Sequence, residues 1–385
     1  MARRRKRPTF YTAGELVSEG ILLAVPLCLP GQSVPPPAGE TAMTALAYDP
    51  IGTVYCGTRG TRAHVLGAVA HRDSGIIHDL GVVPDADAVV AFALPDGKEH
   101  FLILASGPSG GALWSCSRWT ASFCIQEWFA GRYPMRKVCD VLPGQTIEAA
   151  VASPDGQTLF GLAGPQRDLF RLDAQTGETQ ILYHAEEEER DHYHLLPGLG
   201  IDFRGRVWGT YYPAALWTYD PNRGELERPR LGVPAAAGRG HHTYVSAWAA
   251  DPVTGVLYGG TAPDGFLFKM DPDERTIVGL GKPTRMDEIT CLTIANDGRV
   301  YGMAGTEEDI GHLFCYDPES GSLRDLGTPV SVLTARQYGY HFRCAATGPG
   351  GELYFGQHER VNHLWMYFPP IPQRRAGTHA GGTTE

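Results

Sequence analysis

Gly298-Arg299-Val300-Tyr301-Gly302 is followed by His312-Leu313-Phe314-Cys315-Tyr316-Asp317-Pro318 and then by Leu323-Arg324-Asp325-Leu326-Gly327. Each run is short, aromatic or β-branched, and bounded by Gly, Asp or Pro, which is the composition of strands between turns. The same order recurs along the chain. Turn glycines Gly52, Gly97, Gly156, Gly205, Gly255, Gly298 and Gly350 stand 45, 59, 49, 50, 43 and 52 residues apart. Each precedes a second strand: Val54-Tyr55-Cys56-Gly57, Phe101-Leu102-Ile103-Leu104, Leu159-Phe160-Gly161, Val207-Trp208-Gly209, Leu257-Tyr258-Gly259, Val300-Tyr301-Gly302 and Leu353-Tyr354-Phe355-Gly356. In six of these, Gly is read as the strand's stop.

A third strand repeats as Asp168-Leu169-Phe170-Arg171-Leu172-Asp173, Leu216-Trp217-Thr218-Tyr219-Asp220-Pro221, Leu267-Phe268-Lys269-Met270-Asp271-Pro272 and His363-Leu364-Trp365-Met366-Tyr367-Phe368-Pro369. A fourth ends in Leu-Gly at Leu80-Gly81, Leu280-Gly281 and Leu326-Gly327. Four strands every fifty residues, with Gly and Pro too frequent for long helical periodicity, predict an all-β chain of four-stranded blades. The last repeat lacks a fourth strand, because Pro369, Pro370 and Pro372 end it. The apolar segment of residues 20–27 is expected to supply that strand and close the ring.

The chain therefore resembles a seven-bladed β-propeller over residues 16–371, with residues 1–15 a disordered basic tail and residues 372–385 a disordered C-terminal tail. The Gly-His and Trp-Asp marks of WD40 repeats and the Gly-Gly doublet of kelch are missing. In architecture and residue type the chain resembles propeller-fold polysaccharide lyases that cleave uronates, a group that shares its irregular blades with lactonases and sialidases.

Charge and cysteine usage exclude several other classes. With 43 Asp and Glu against 33 Lys and Arg, the net charge of −10 argues against a nucleic-acid backbone as partner. No run approaches the roughly 20 apolar residues of a membrane helix. The basic run of residues 3–7 precedes apolar residues 21–29, but Glu15, Glu19, Pro26 and Pro30 interrupt an export signal. Eight cysteines without a Cys-x-x-Cys pair read as reduced core residues, and a cytoplasmic location is expected.

The turns between first and second strands and between third and fourth strands share one face and carry plain turn chemistry, as in Pro154-Asp155-Gly156 and Asn296-Asp297-Gly298. The remaining loops share the other face and carry most of the histidine. They include Asp191-His192-Tyr193-His194, His241-His242-Thr243-Tyr244, Thr284-Arg285-Met286-Asp287-Glu288 and Tyr338-Gly339-Tyr340-His341-Phe342-Arg343. Arg59, Tyr211 and Gln357-His358-Glu359-Arg360 join them from the hairpins between second and third strands. His, Tyr and Arg converging from several blades suit an acidic oligo- or polysaccharide.

Resemblance to the lyases implies β-elimination, in which the C5 proton α to a carboxylate is removed while the C4 glycosidic oxygen leaves. His194, His242, Tyr244 and His341 are the candidate acids and bases. Arg59, Arg285, Arg343 and Arg360 are the candidate carboxylate ligands, with Tyr211, Tyr340 and His358 beside them as substrate contacts. A divalent metal could instead sit between His194, His242 and His341, completed by Gln357 or His358. Hydrolysis would draw on Glu307, Glu308, Asp309 and Glu359, and lactonase chemistry is a further alternative. A glycan- or protein-binding scaffold without catalysis would use the same face. The Gly-rich residues 107–111 lack the Lys-Ser/Thr and helix of a phosphate loop.

Overall fold

The computed structural model describes residues 18–26, 36–71, 74–118, 135–184, 195–306, 309–331, 337–359 and 362–370. The two expected tails, His194, Arg360, Glu307 and Glu308 lie outside them. The described residues form antiparallel strands with single 3-10 turns at Ala38–Glu40 and Gly240–His242, and no α-helix. No helix among them is long and apolar enough to cross a membrane.

The stretch around Tyr301 sets the pattern for the rest. Ile289–Ile294, Val300–Ala304, His312–Asp317 and Ser322–Gly327 pair in sequence order as one four-stranded sheet. Equivalent sheets begin with Ile147–Ala152, Gly200–Ile201 and Tyr244–Ala250. Two more four-strand units, beginning with Ala42–Asp49 and Ala88–Ala93, are linked into an eight-stranded sheet by one pair, Arg59 with Ala88. The last unit takes three strands from the C-terminal end, Phe342–Thr347, Leu353–Gln357 and His363–Phe368, and its fourth from the other end of the chain. Ile21–Pro26 pairs antiparallel with His363–Phe368, Ile21 opposite Phe368 and Pro26 opposite His363. Each first strand packs beside the first strand of the next unit, and Phe342–Thr347 packs beside Ala42–Asp49.

The glycine of the second strand is not its stop. Gly161, Gly209, Gly259 and Gly302 lie inside their strands, directly opposite Phe170, Trp217, Phe268 and Phe314 of the third. A Cβ on Gly259 would stand 2.1 Å from the Phe268 ring, and one on Gly209 would stand 2.5 Å from the Trp217 ring. The missing side chain seats the neighbouring aromatic, which explains why aromatic and glycine recur together. The turn glycines serve as expected, at φ +84 for Gly298, except that the last turn uses Gly351 at φ +88 rather than Gly350.

Among the described residues seven apolar clusters form the core, each between consecutive units. Leu292, Val300 and Phe314 meet Ala247, Tyr258 and Leu267 across one seam, for example, and Met43, Cys56 and Leu66 meet Tyr354, Leu364 and Met366 across another. Because strand side chains alternate, Leu22 of the N-terminal strand enters the cluster between the sixth and seventh units while Leu23 enters the one between the seventh and first. Cys56, Cys116, Cys291, Cys315 and Cys344 are free and buried, and Cys139 is free and half-buried. The glycines of residues 107–111 are packing devices, since a Cβ on Gly107 would meet the Asp85 carbonyl at 2.1 Å.

Candidate functional site

The two ends of the sheets differ in chemistry. At the end where first strands finish, carboxylates are spent on turns. Asp49, Asp155, Asp202, Asp251 and Asp297 each accept a backbone N–H two residues on, at 2.9–3.2 Å. These are Asx turns and need no ligand.

At the opposite end, carboxylates tie the loop that enters a unit to the hairpin between its second and third strands. Glu148 accepts from Arg167 Nε at 2.6 Å. Asp264, 3% exposed, accepts from Ala236 N–H and the Thr243 hydroxyl, both at 2.9 Å, and stands 3.4 Å from Arg239. It therefore fixes the loop that presents His242. Glu359 Oε1 accepts from the N–H groups of Tyr340 at 2.7 Å and His341 at 2.9 Å.

A second device aims side chains here. In six of the seven units the first strand shifts register by one residue near its start, and the extra residues are Thr44, Val90, Glu148, Ser246, Thr290 and Arg343. Such bulges re-aim a side chain. Thr44 and Ser246 use theirs to bond the main chain of the next unit, at Val89 O and Ile289 O. Glu148 and Arg343 present charge. Arg343 is exposed and makes no ion pair with another described residue.

Tyr244 brings these parts together. Its half-buried phenol is raised above the ordinary tyrosine range, first by burial, then by Glu288, while the charges of Arg343 and Arg167 oppose the shift. Groups from the third, sixth and seventh units thus act on one hydroxyl of the fifth. Of these, Tyr244 and Arg343 were expected from the sequence. Arg167 and Glu148 were not, because their link spans 19 residues and no local motif announces it.

The other expected residues divide by exposure. His242 ends the Gly240–His242 turn and is exposed, as are Arg285 and Arg59. Tyr340 and His358 are half-buried. His358 Nδ1 lies 3.0 Å from the Met43 carbonyl, which can only accept, so Nδ1 carries the proton. His341 has no exposed surface and packs edge-on against His358 with ring centroids 5.5 Å apart. Its pKa is lowered to about 3, first by burial, then by Arg343 and His358, so the ring is neutral at ordinary pH. Tyr211, 8% exposed, packs with Leu195 and Trp217 in the apolar seam between the third and fourth units.

Gln357, considered above as a metal ligand, spends its carbonyl oxygen on His363 N–H, His363 Nδ1 and Trp365 Nε1 at 3.0–3.1 Å. No three His, Cys, Asp or Glu side chains gather as metal ligands among the described residues. Asp309 accepts from the Thr306 hydroxyl at 3.0 Å.

No protein-family model matches the chain, and no curated protein matches it. Solved structures do share its fold. The extracellular domain of the putative one component system BT4673 from B. thetaiotaomicron superposes with a TM-score of 0.54 at 12% identity, covering 85% of this chain and 38% of that one. Saccharomyces cerevisiae Sqt1 gives 0.53 at 10% identity, covering 86% and 97%. A structural genomics protein of unknown function from Bacteroides thetaiotaomicron VPI-5482 gives 0.50 at 13% identity, covering 92% and 74%. The chain spans well under half of the first of these. At such identities the likeness concerns the β-propeller type of fold alone.

Proposed function

We propose that the seven four-stranded units form one propeller ring, closed by Ile21–Pro26, and that its histidine-rich mouth cleaves uronate-containing saccharides by β-elimination. The observation that carries this reading is the pairing of Tyr244 with Arg343: a phenol that keeps its proton stands in the field of a guanidinium that makes no ion pair with a described carboxylate. Arg343 would bind the uronate carboxylate, offsetting the charge that builds when C5 loses its proton. His242, exposed on a loop anchored by Asp264, would take that proton. The freed electron pair forms the C4–C5 double bond, the C4–O bond breaks, and Tyr244 protonates the departing oxygen. Burial raises the Tyr244 pKa, which suits an acid better than a base, and the sealed, neutral His341 suits a wall better than either.

The test is a pair of measurements on Tyr244→Phe. Retained uronate binding with turnover down by a factor of about 100 or more supports the acid role. Unchanged turnover removes it. A binding module without catalysis is the second reading, favoured by the complete burial of His341, and it predicts saturable binding without product from the unmodified chain.

A further inference from the structure

The first unit holds a buried histidine that the proposed reaction does not use. His64 lies in the third strand, Ala63–His71, and is 3% exposed. Its Nδ1 is 2.8 Å from Asp79 Oδ2 and its Nε2 is 2.8 Å from Glu40 Oε2. Ionised carboxylates only accept, so both contacts are hydrogen bonds only when the ring is protonated on both nitrogens.

The sixth unit contains the same pair without the third member. His312 Nδ1 is 2.9 Å from Asp325 Oδ2, and both pairs flank the same irregularity of register, between Val65 and Leu66 in one and between Leu313 and Phe314 in the other. Both aspartates also accept the N–H of the glycine two residues on, Gly81 and Gly327, at 2.9 Å. What the first unit adds is Glu40, from the turn that leads into Ala42–Asp49. Glu40 is 6% exposed, and Arg62 donates to both of its oxygens, from Nε to Oε1 and from Nη2 to Oε2, each at 3.0 Å.

We propose that His64 is a proton-operated latch: its doubly protonated ring joins the fourth strand of the first unit to the segment of residues 36–41, and loss of the proton releases that segment. The segment lies where the last unit meets the first, since Asn362 Nδ2 donates to Thr41 Oγ1 at 2.9 Å. Three charges face the ring: Asp79 from Ser74–Val83, Glu40 from the turn, and Arg62 from the hairpin, acting through Glu40. The second strand contributes Thr58, whose hydroxyl accepts the His64 backbone N–H at 2.9 Å. Burial disfavours the charged ring, but Asp79 and then Glu40 outweigh it, so the pKa is raised above 6.5. The latch is therefore complete below pH 6.5 and is lost as pH rises through the folded value. A deprotonated nitrogen would then turn its lone pair toward a carboxylate oxygen at 2.8 Å.

The experiment is NMR on the full chain, with imidazole nitrogen signals assigned by their loss in His64→Gln. Both nitrogens are expected to be protonated near neutrality, with a midpoint above 6.5. Amide protection at residues 38–42, corrected for hydroxide catalysis, should fall by up to about tenfold per pH unit between 6.5 and that midpoint and level off above it, while Thr276–Gly281 stays flat. If His64→Gln does not fold, Glu40→Gln assigns the ring by lowering its midpoint. A midpoint at or below 6.5, or protection that ignores the titration, overturns the latch.

Discussion

At the residue scale, one side chain and one missing side chain carry most of the consequences. Arg343 stands at a bulge and is exposed, and its guanidinium makes no ion pair with a described carboxylate. Arg343→Ala should weaken a uronate oligosaccharide about 10-fold to 100-fold and its neutral counterpart little, by calorimetric titration; equal losses would contradict carboxylate recognition. Gly259 is the opposite case, a position where nothing fits. Gly259→Ala would drive a methyl against Phe268 and should cost about 1–3 kcal/mol, read as a lower denaturant midpoint at unchanged slope. The recurrence of aromatic and glycine was legible in the sequence. Its reason was not, because the two residues meet across a hairpin rather than along the chain. Tyr211 and His341 show the same limit, since a polar ring at a strand end is spelled alike whether it faces a ligand or the core.

At the element scale, the seventh unit depends on a strand from the far end of the chain. Removing residues 1–26 uncovers the edge of His363–Phe368 and the seats of Leu22 and Leu23, a loss of about 3–6 kcal/mol from those two leucines. Lowered stability and concentration-dependent association on size exclusion are expected; an equally stable monomer would show that the strand contributes little. That strand was legible because the proline run after Phe368 left the last repeat one strand short. The ties at the other end of the sheets were not, since Asp264 and Glu359 act on main-chain groups that carry no sequence signal. The same unit holds His341 and His363, whose pKa values burial lowers to about 3 and about 4. Between those values and 6.5 the unfolded chain binds the protons and the folded one does not, so stability falls as pH falls through that window, by up to about 1.4 kcal/mol per pH unit for each group. His363→Gln should flatten the acid limb of the unfolding curve, and an unchanged slope would remove His363 from it.

At the scale of the whole molecule, seven apolar seams hold the units side by side and leave their two ends chemically distinct. Turn carboxylates satisfy the backbone at one end, while the other gathers Tyr244, Arg343, Arg167 and Glu288 from four units. That division was readable from loop composition, because residues that close tight turns differ in type from the His, Tyr and Arg of the longer loops. The measurement that bears most directly on the proposed function is an ultraviolet time course of the protein with a panel of uronate oligo- and polysaccharides, since elimination creates a conjugated unsaturated product. A rise in absorbance with the unmodified chain, abolished in His242→Ala and in Tyr244→Phe, is the expected result. A flat trace across the panel from folded protein that binds the same saccharides would contradict elimination and leave the mouth as a binding site.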